Sequence, residues 1–305
     1  MGGSTLTRED VLELFQKVSN WGRWGTDDER GCLNYITSQS RLKAIVTVQE
    51  GICVSCAMPL NTVPSEENSR PVQHMMIRAG DVQGALGVSD YFSIATHGWA
   101  HTHLDALCHY FAEGKMYNDH PVSSVTSEGA YRNAITSAQD GVVSRGVLLD
   151  IPALSAREYL EPGEAIHPED LQAAETRPGV TVSEGDILLL RTGRWLRQQK
   201  VGPWNGGESM AGMYADCLPW LHERRIAALG CDGVSDVLPS GVEGVRQPIH
   251  GGAIAMMGLH LLDNAYLEDL AVACAQRGRY EFLFMMAPLK LVRGTGCPVN
   301  PLAMF

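Results

Sequence analysis

The chain has 305 residues, of which 45% are hydrophobic and 19% are charged, a composition typical of folded globular proteins and not of disordered ones. Acidic residues outnumber basic ones by 35 to 24, and the formal net charge of −11 disfavours a nucleic-acid partner, which needs a cationic face. The sequence has neither an apolar run of about 18 residues, the length of a membrane span, nor the charged-then-apolar order of a signal peptide. We therefore expect a cytoplasmic protein with a small-molecule substrate and no membrane partner.

The first half of the chain contains few predicted elements. An amphipathic helix is predicted over residues 7–19, because Thr7 is a suitable N-cap and acidic residues follow it in the first turn. A second helix is predicted over about 38–49 and a buried strand over 51–58. The polar, Gly-rich residues 61–90 are expected to form a long surface excursion.

The second half alternates between apolar runs and helical patterns. Short apolar runs bounded by turn residues predict buried strands at 144–151, 184–192, 226–232 and 282–287. Helices are predicted over 214–224, 251–262 and 266–277. This alternation indicates an α/β protein. We expect a single domain over residues 1–305, in which residues 1–20 form an N-terminal helix and arm.

Four of the ten histidines fall within 13 residues: His97, His101, His103 and His109. In an extended segment, positions 97, 101, 103 and 105 share one face, so three imidazoles would meet the carboxylate of Asp105. Imidazoles and a carboxylate suit Zn²⁺, Mn²⁺ or Fe²⁺, whereas Ca²⁺ needs more oxygen ligands. The window therefore predicts a divalent metal site. His109, four residues after Asp105, is expected beside it as a base that is not itself a ligand.

The run THLDALCH at 102–109 resembles the motif H-x-G-T-H-x-D-x-P-x-H of the cyclase-like metal-dependent hydrolases. Four other stretches resemble blocks of this family in the family's order: WGTDDERGCLN at 24–34, GVLLD at 146–150, GDILLLRTG at 185–193 and GTGCPVNP at 294–301. The family includes bacterial kynurenine formamidase, isatin hydrolase and polyketide-associated cyclases. The resemblance implies a swivelling β/β/α fold with a central mixed sheet, a divalent metal, and a homodimer or homotetramer.

The resemblance also implies roles for individual residues. His103 and Asp105 match family ligands, and His109 matches the catalytic histidine, which acts as general acid and base. The family's first ligand falls at Trp99 in this chain, so another histidine must replace it. Strand geometry favours His101, whereas His97 with the following glycine resembles a shifted His-x-Gly, and both remain candidates.

Members of the family with two metal ions add a histidine and an acidic residue from the C-terminal third. His250 matches that histidine, and Asp263 stands near the place of the acidic residue. Zn²⁺ is the preferred metal and Mn²⁺ the alternative. Aromatic residues near the motif or in the N-terminal signature are candidates to line a pocket for a planar or cyclic substrate: Trp24, Trp99 and Tyr110.

These residues predict a metal-dependent hydrolase that opens an amide, lactam or lactone bond, with arylformamidase-like activity on carbon–nitrogen bonds. Metal-activated water would attack the carbonyl and His109 would move the proton. A cyclase or lyase on the same metal site is the alternative, because its ligand set would be identical. A metal-binding protein without turnover is a third hypothesis, which a fully protein-coordinated ion would favour.

Overall fold

The computed structural model describes residues 5–305, and residues 1–4 of the predicted N-terminal arm lie outside the described residues. The helices are α1 (Arg8–Lys17), α2 (Ser38–Ile45), α3 (Pro168–Thr176), α4 (Arg194–Val201), α5 (Leu218–Arg224), α6 (Pro248–His250), a π-helix (Gly251–Met257) and α7 (Glu268–Arg277). Short 3₁₀ turns lie between them. In residues 5–305 no helix has the length and hydropathy needed to cross a membrane.

Residues 5–305 contain fifteen strands. They are β1 (Cys53–Ser55), β2 (Gln73–Arg78), β3 (Ser89–Ser93), β4 (His103–Asp105), β5 (Val125–Thr126), β6 (Gly129–Ala130), β7 (Val142–Asp150), β8 (Ala165–Ile166), β9 (Ile187–Arg191), β10 (Gly212–Met213), β11 (Ala228–Cys231), β12 (His260–Asp263), β13 (Glu281–Met286), β14 (Gly296–Pro298) and β15 (Leu302–Met304).

Nine of these strands form one mixed sheet in the order β1-β15-β13-β7-β9-β11-β12-β4-β14. Strands β7, β9, β11 and β12 pair in parallel, and the remaining pairs in the sheet are antiparallel. The predicted α/β class with a central mixed sheet is therefore confirmed.

The parallel strands are buried on both faces, which explains their continuous apolar runs. Successive side chains of a strand point to opposite faces. In β9, Leu188 and Leu190 accordingly join one core with helices α1, α3 and α5, whereas Ile187 and Leu189 join a second core with α7. The sheet thus separates two apolar layers.

The structure corrects or details three local expectations. The predicted helix over 251–262 ends at Met257, because Gly258 turns the chain with φ of +69° and residues 260–263 become β12. The predicted excursion over 61–90 includes most of an exposed hairpin, β2–β3. The extended geometry considered for residues 97–105 is confined to β4, since residues 97–101 form bends.

Candidate metal centre

Strand β4, which carries His103 and Asp105, lies between β12 and β14 near one edge of the large sheet. Antiparallel pairing places His103 opposite Asp263 on β12 and Asp105 opposite Gly296 on β14. Every residue of β4 is buried. The sheet register therefore brings Asp263, which is distant in sequence, next to the histidine-rich segment.

His97, His103 and Asp105 form one group whose ligand atoms lie within 4.8 Å of one another. His97 Nδ1 is 2.9 Å and His103 Nε2 is 3.4 Å from Asp105 Oδ1. Burial raises the pKa of Asp105, but the neighbouring histidines, His109 foremost, hold it well below its ordinary value. Burial lowers the pKa of His103, but its contact with Asp105 outweighs this and raises the pKa to about 9. The carboxylate and the imidazole therefore stabilise each other's charged form.

The second ring nitrogen of each histidine in this group has its own partner. His103 Nδ1 lies 2.8 Å from the carbonyl oxygen of His101 and must donate to it, because a carbonyl only accepts. His97 Nε2 lies 2.9 Å from the Thr295 hydroxyl. Partners of this kind orient metal-binding histidines and fix the tautomer. His103 Nε2 and His97 Nδ1 are consequently the nitrogens that face Asp105.

Asp105, His109 and His250 form a second group within the same 4.8 Å limit. His109 Nε2 is 3.9 Å from Asp105 Oδ1, and His250 Nε2 is 3.8 Å from Asp105 Oδ2. His250 Nε2 also lies 3.4 Å from Asp263 Oδ2. Asp105 is thus shared by both groups, and Asp263 adjoins the second.

His250 is oriented by Asp236, a residue that the sequence analysis did not identify. Asp236 Oδ2 lies 2.6 Å from His250 Nδ1, and the carboxylate also accepts the backbone N–H groups of Ile249 and His250. Burial lowers the pKa of His250, but Asp236 and Asp263 outweigh this and raise the pKa well above its usual value. No sequence pattern signals Asp236, which stands 14 residues before His250 in a loop. Thr295, by contrast, belongs to one of the family-like blocks.

His109, a member of the second group that also contacts the first, has a different environment from the other histidines. Its ring stacks on that of His97, with centroids 3.6 Å apart and planes at 7°. Burial lowers the pKa of His109 to about 4, against the opposing charge of Asp105. Tyr110 reaches the same place, with its ring centroid 5.3 Å from that of His250. Of the predicted pocket residues, Tyr110 is thus in contact with the site.

His101, which strand geometry favoured as a ligand, belongs to neither group. The alternation on which that preference depended stops at β4, because the preceding segment bends and Gly98 adopts φ of +154°. The side chain of His101 is buried, and its ring nitrogens find no hydrogen-bond partner within residues 5–305. The geometry favours His97 over His101 as the third member of the first group.

The other two aromatic candidates lie farther from the carboxylate. Trp99 lines a small cavity of about 60 Å³ together with His97, His101 and Glu67. Trp24 packs edge to face on Tyr35, with ring centroids 5.1 Å apart, on the core formed with α1. Trp99 therefore adjoins the site, whereas the contacts of Trp24 are those of a packing residue.

The donor set fits a divalent cation. Both carboxylate oxygens of Asp105 and Oδ1 of Asp263 are buried, and within residues 5–305 no contact to them has the geometry of a hydrogen bond. Buried polar atoms are normally satisfied by well-aligned hydrogen bonds, so carboxylate oxygens that instead face several imidazole nitrogens need an explanation. A cation that accepts nitrogen and oxygen ligands provides one.

The comparisons with known proteins identify the family and the fold. A family model described as "Putative cyclase" matches residues 35–236, which is more than half of the chain. A crystal structure described as a novel cyclase is 30% identical, covers 95% of this chain and 99% of its own, and has a TM-score of 0.87. No curated protein matches the sequence significantly.

More distant solved structures share the fold. Isatin hydrolase A from Ralstonia solanacearum is 23% identical, covers 88% of this chain and 97% of its own, and has a TM-score of 0.62. A predicted metal-dependent hydrolase from Bacillus stearothermophilus is 17% identical, covers 84% of this chain and 98% of its own, and has a TM-score of 0.52. The cyclase-like fold expected from the sequence is thereby confirmed.

Proposed function

Because the chain belongs to the cyclase family, we propose that it is a metal-dependent hydrolase which opens an amide, lactam or lactone bond of a small cyclic or aromatic substrate. The observation that carries this proposal is the Asp105 carboxylate, which is buried, has no well-aligned hydrogen bond within the described residues and is shared by two histidine groups. The similarity to an isatin hydrolase and to a Bacillus protein described as a metal-dependent hydrolase supports a hydrolytic reaction.

The proposed ligands of a first ion are His97, His103 and Asp105, and those of a second are Asp105, His250 and Asp263. Zn²⁺ is the preferred ion, since imidazole and carboxylate are among its usual ligands, and Mn²⁺ is the alternative. When bound, such an ion acidifies water and polarises a substrate carbonyl. Asp105 could contribute to both sites, because Oδ1 lies near His103 and Oδ2 lies near His250.

His109 is proposed as the general acid and base of the reaction. Its ring lies against His97 and within 3.9 Å of Asp105, but it makes no hydrogen bond with any residue of the described chain. Nε2 of His109 can therefore accept a proton from the attacking water and return it to the leaving nitrogen or oxygen. Tyr110 and Trp99 offer aromatic faces against which a planar substrate can pack.

A cyclase or lyase reaction on the same residues is the second candidate. The family description and the 30% identical structure, both of which name a cyclase, favour it. In that reaction His109 would move protons between substrate atoms without consuming water. The third hypothesis, a metal-binding protein without turnover, remains as the outcome in which no substrate is converted.

The test is a substrate screen of the purified protein in three forms: as isolated, stripped with chelator, and reloaded with Zn²⁺ or Mn²⁺. The panel contains N-formyl anilines, lactams including isatin, and lactones. We expect turnover that is lost on stripping and restored by reloading, with ¹⁸O from labelled water entering the product. Unlabelled, ring-closed product would favour the cyclase, and tight metal binding without turnover would favour the binding protein.

We also propose that the protein is cytoplasmic and forms a homodimer or homotetramer. The exposed apolar side chains of the hairpin β2–β3 support self-association, among them Met75, Ile77, Val88, Tyr91 and Phe92. Sedimentation equilibrium tests the oligomer directly. A monomer at micromolar concentration would contradict it.

A further inference from the structure

Two buried polar residues, Arg194 and Asn264, lie behind the segment 97–101 that precedes β4. The side chain of Arg194 is 1% exposed, and its guanidinium donates to the backbone carbonyl of Trp99 and to Oδ1 of Asn264. It also donates to the carbonyl of Asp232, at 3.3 Å. A buried guanidinium that binds backbone carbonyls fixes the position of the chain that carries them.

Asn264 holds the same segment closer to the metal centre. Its Nδ2 donates to the carbonyl of Gly98, at 2.8 Å, and to the carbonyl of His101, at 3.2 Å. The backbone carbonyl of Asn264 accepts the hydroxyl of Thr102, at 2.7 Å. Three successive parts of the bent segment, at 98, 99 and 101, are therefore held by Arg194 and Asn264.

The carbonyl of His101 links these contacts to a proposed ligand. This oxygen accepts from Asn264 Nδ2 and also from His103 Nδ1, at 2.8 Å. Donation from Nδ1 leaves Nε2 of His103 as the nitrogen that faces Asp105. The position of one backbone oxygen thus decides the ring orientation of His103 and leaves Nε2 as the nitrogen available to a metal ion.

We propose that Asn264 and Arg194 are positioning residues that set the orientation of His103, and with it the metal affinity, through the backbone carbonyls of residues 98, 99 and 101. This inference rests on the proposed metal-dependent function. Neither side chain touches the reacting atoms. Their effect passes through the bent segment.

The surroundings of Arg194 explain how its charge is tolerated. Glu67, itself buried, lies 3.6 Å from the guanidinium and accepts from Gln198. The carboxylate of Asp232 accepts the backbone N–H groups of residues 192, 193 and 194, which fixes the start of α4. Lysine keeps the charge but lacks the planar fork that reaches Trp99 and Asn264 together.

Arg191 provides a matched control. It is also buried, at 6% exposure, and it pairs with two carboxylates, Asp150 at 2.8 Å and Glu268 through Nε at 3.0 Å. Its hydrogen bonds within the described chain go to these residues and to Glu158, not to segment 97–101. Replacing Arg191 by Lys disturbs a buried ion pair of similar kind without touching the carbonyls that orient His103.

The experiment compares Asn264→Asp, Arg194→Lys and Arg191→Lys with the wild type. Asn264→Asp keeps the shape and the acceptor for Arg194 but removes both donations to Gly98 and His101. The Kd for Zn²⁺ is measured by competition with a chromophoric chelator, and the urea midpoint of each stripped protein reports folding. We expect Zn²⁺ binding about 10- to 100-fold weaker for Asn264→Asp and Arg194→Lys. Arg191→Lys should keep the wild-type affinity even where its urea midpoint falls.

A second readout does not depend on metal. In ¹⁵N-histidine-labelled protein stripped of metal, His103 should show a protected Nδ1–H proton, and this signal should be lost in Asn264→Asp and kept in Arg191→Lys. Equal Zn²⁺ affinities and an unchanged His103 signal in all three variants would overturn the inference. A wild type that binds no Zn²⁺ or Mn²⁺ would overturn the proposed function instead, and the His103 signal would then decide the positioning role alone.

Discussion

The two histidine groups that share Asp105 differ in how their side chains are held. In the first group, His97 and His103 each engage their second ring nitrogen, with the Thr295 hydroxyl and the His101 carbonyl. In the second group His250 is held by Asp236 at 2.6 Å, whereas His109 has no such partner in residues 5–305. Three histidines are therefore oriented as ligands usually are, and one is left free to exchange a proton.

The largest effect is expected at Asp105, because one substitution there changes both groups at once. Asp105→Asn removes the carboxylate that both groups share, so metal binding should weaken by more than the factor of about 10 to 100 seen for outer ligand partners. Turnover should be lost with it. Metal content by elemental analysis and the Kd by chelator competition measure the change. Wild-type metal content in Asp105→Asn would show that Asp105 does not bind the metal.

His109→Gln tests the difference between the free histidine and the oriented ones. We expect kcat to fall by about 10² to 10⁴, the usual contribution of a positioned acid or base, while metal content stays at the wild-type level. His103→Gln is the matched variant, and it should lose metal and activity together. If His109→Gln lost metal to the same degree as His103→Gln, His109 would be a ligand.

Asp236→Asn addresses the second group by itself. Asparagine weakens the support of His250, and we expect affinity for the second ion to fall about 10- to 100-fold. Asp216→Asn is the control, since Asp216 also lies 2.8 Å from a histidine, His167, but the pair is half-exposed. A stoichiometry titration separates the two ions. Identical titrations for both variants would restrict metal binding to the first group.

The smallest effect is expected at His260, a buried histidine on β12 that belongs to neither group. Burial lowers the pKa of His260 to about 4, below its value in the unfolded chain. The free energy of unfolding is therefore unaffected by His260 above about pH 6.5, and it decreases as the pH falls towards 4, because the unfolded chain then binds a proton that the folded protein does not.

Between pH 7 and pH 5 the lower pKa of His260 in the folded protein corresponds to a loss of about 2 kcal/mol of unfolding free energy. Urea unfolding of the stripped protein at both pH values measures it. His260→Gln should lose less stability than the wild type over this range. Equal losses in the two proteins would show that His260 does not contribute.

The parallel strands could be predicted because their pattern of apolar residues is visible within each short segment. Residues 184–192 form a continuous apolar run between turn residues, and a strand buried on both faces must have this pattern. The spacing of histidines within the motif likewise placed His103 and Asp105 next to each other. These features are determined by residues that are close in sequence, so they can be predicted from one sequence.

The rest of the site depends on contacts that the sequence does not display. His101 was favoured on strand alternation, but the bend at Gly98 ends the alternation and brings His97 to Asp105 instead. Asp236 acquires its role only when its loop folds against α6. Contacts between residues that are distant in sequence produce no periodic pattern, so they cannot be predicted from one sequence.

The most direct test of the central claim is anomalous diffraction at the zinc edge from crystals of the protein loaded with Zn²⁺. We predict a peak that contacts Asp105, His97 and His103, and at higher occupancy a second peak between Asp105, His250 and Asp263. A protein loaded with zinc whose anomalous peaks all lie away from Asp105 would contradict it.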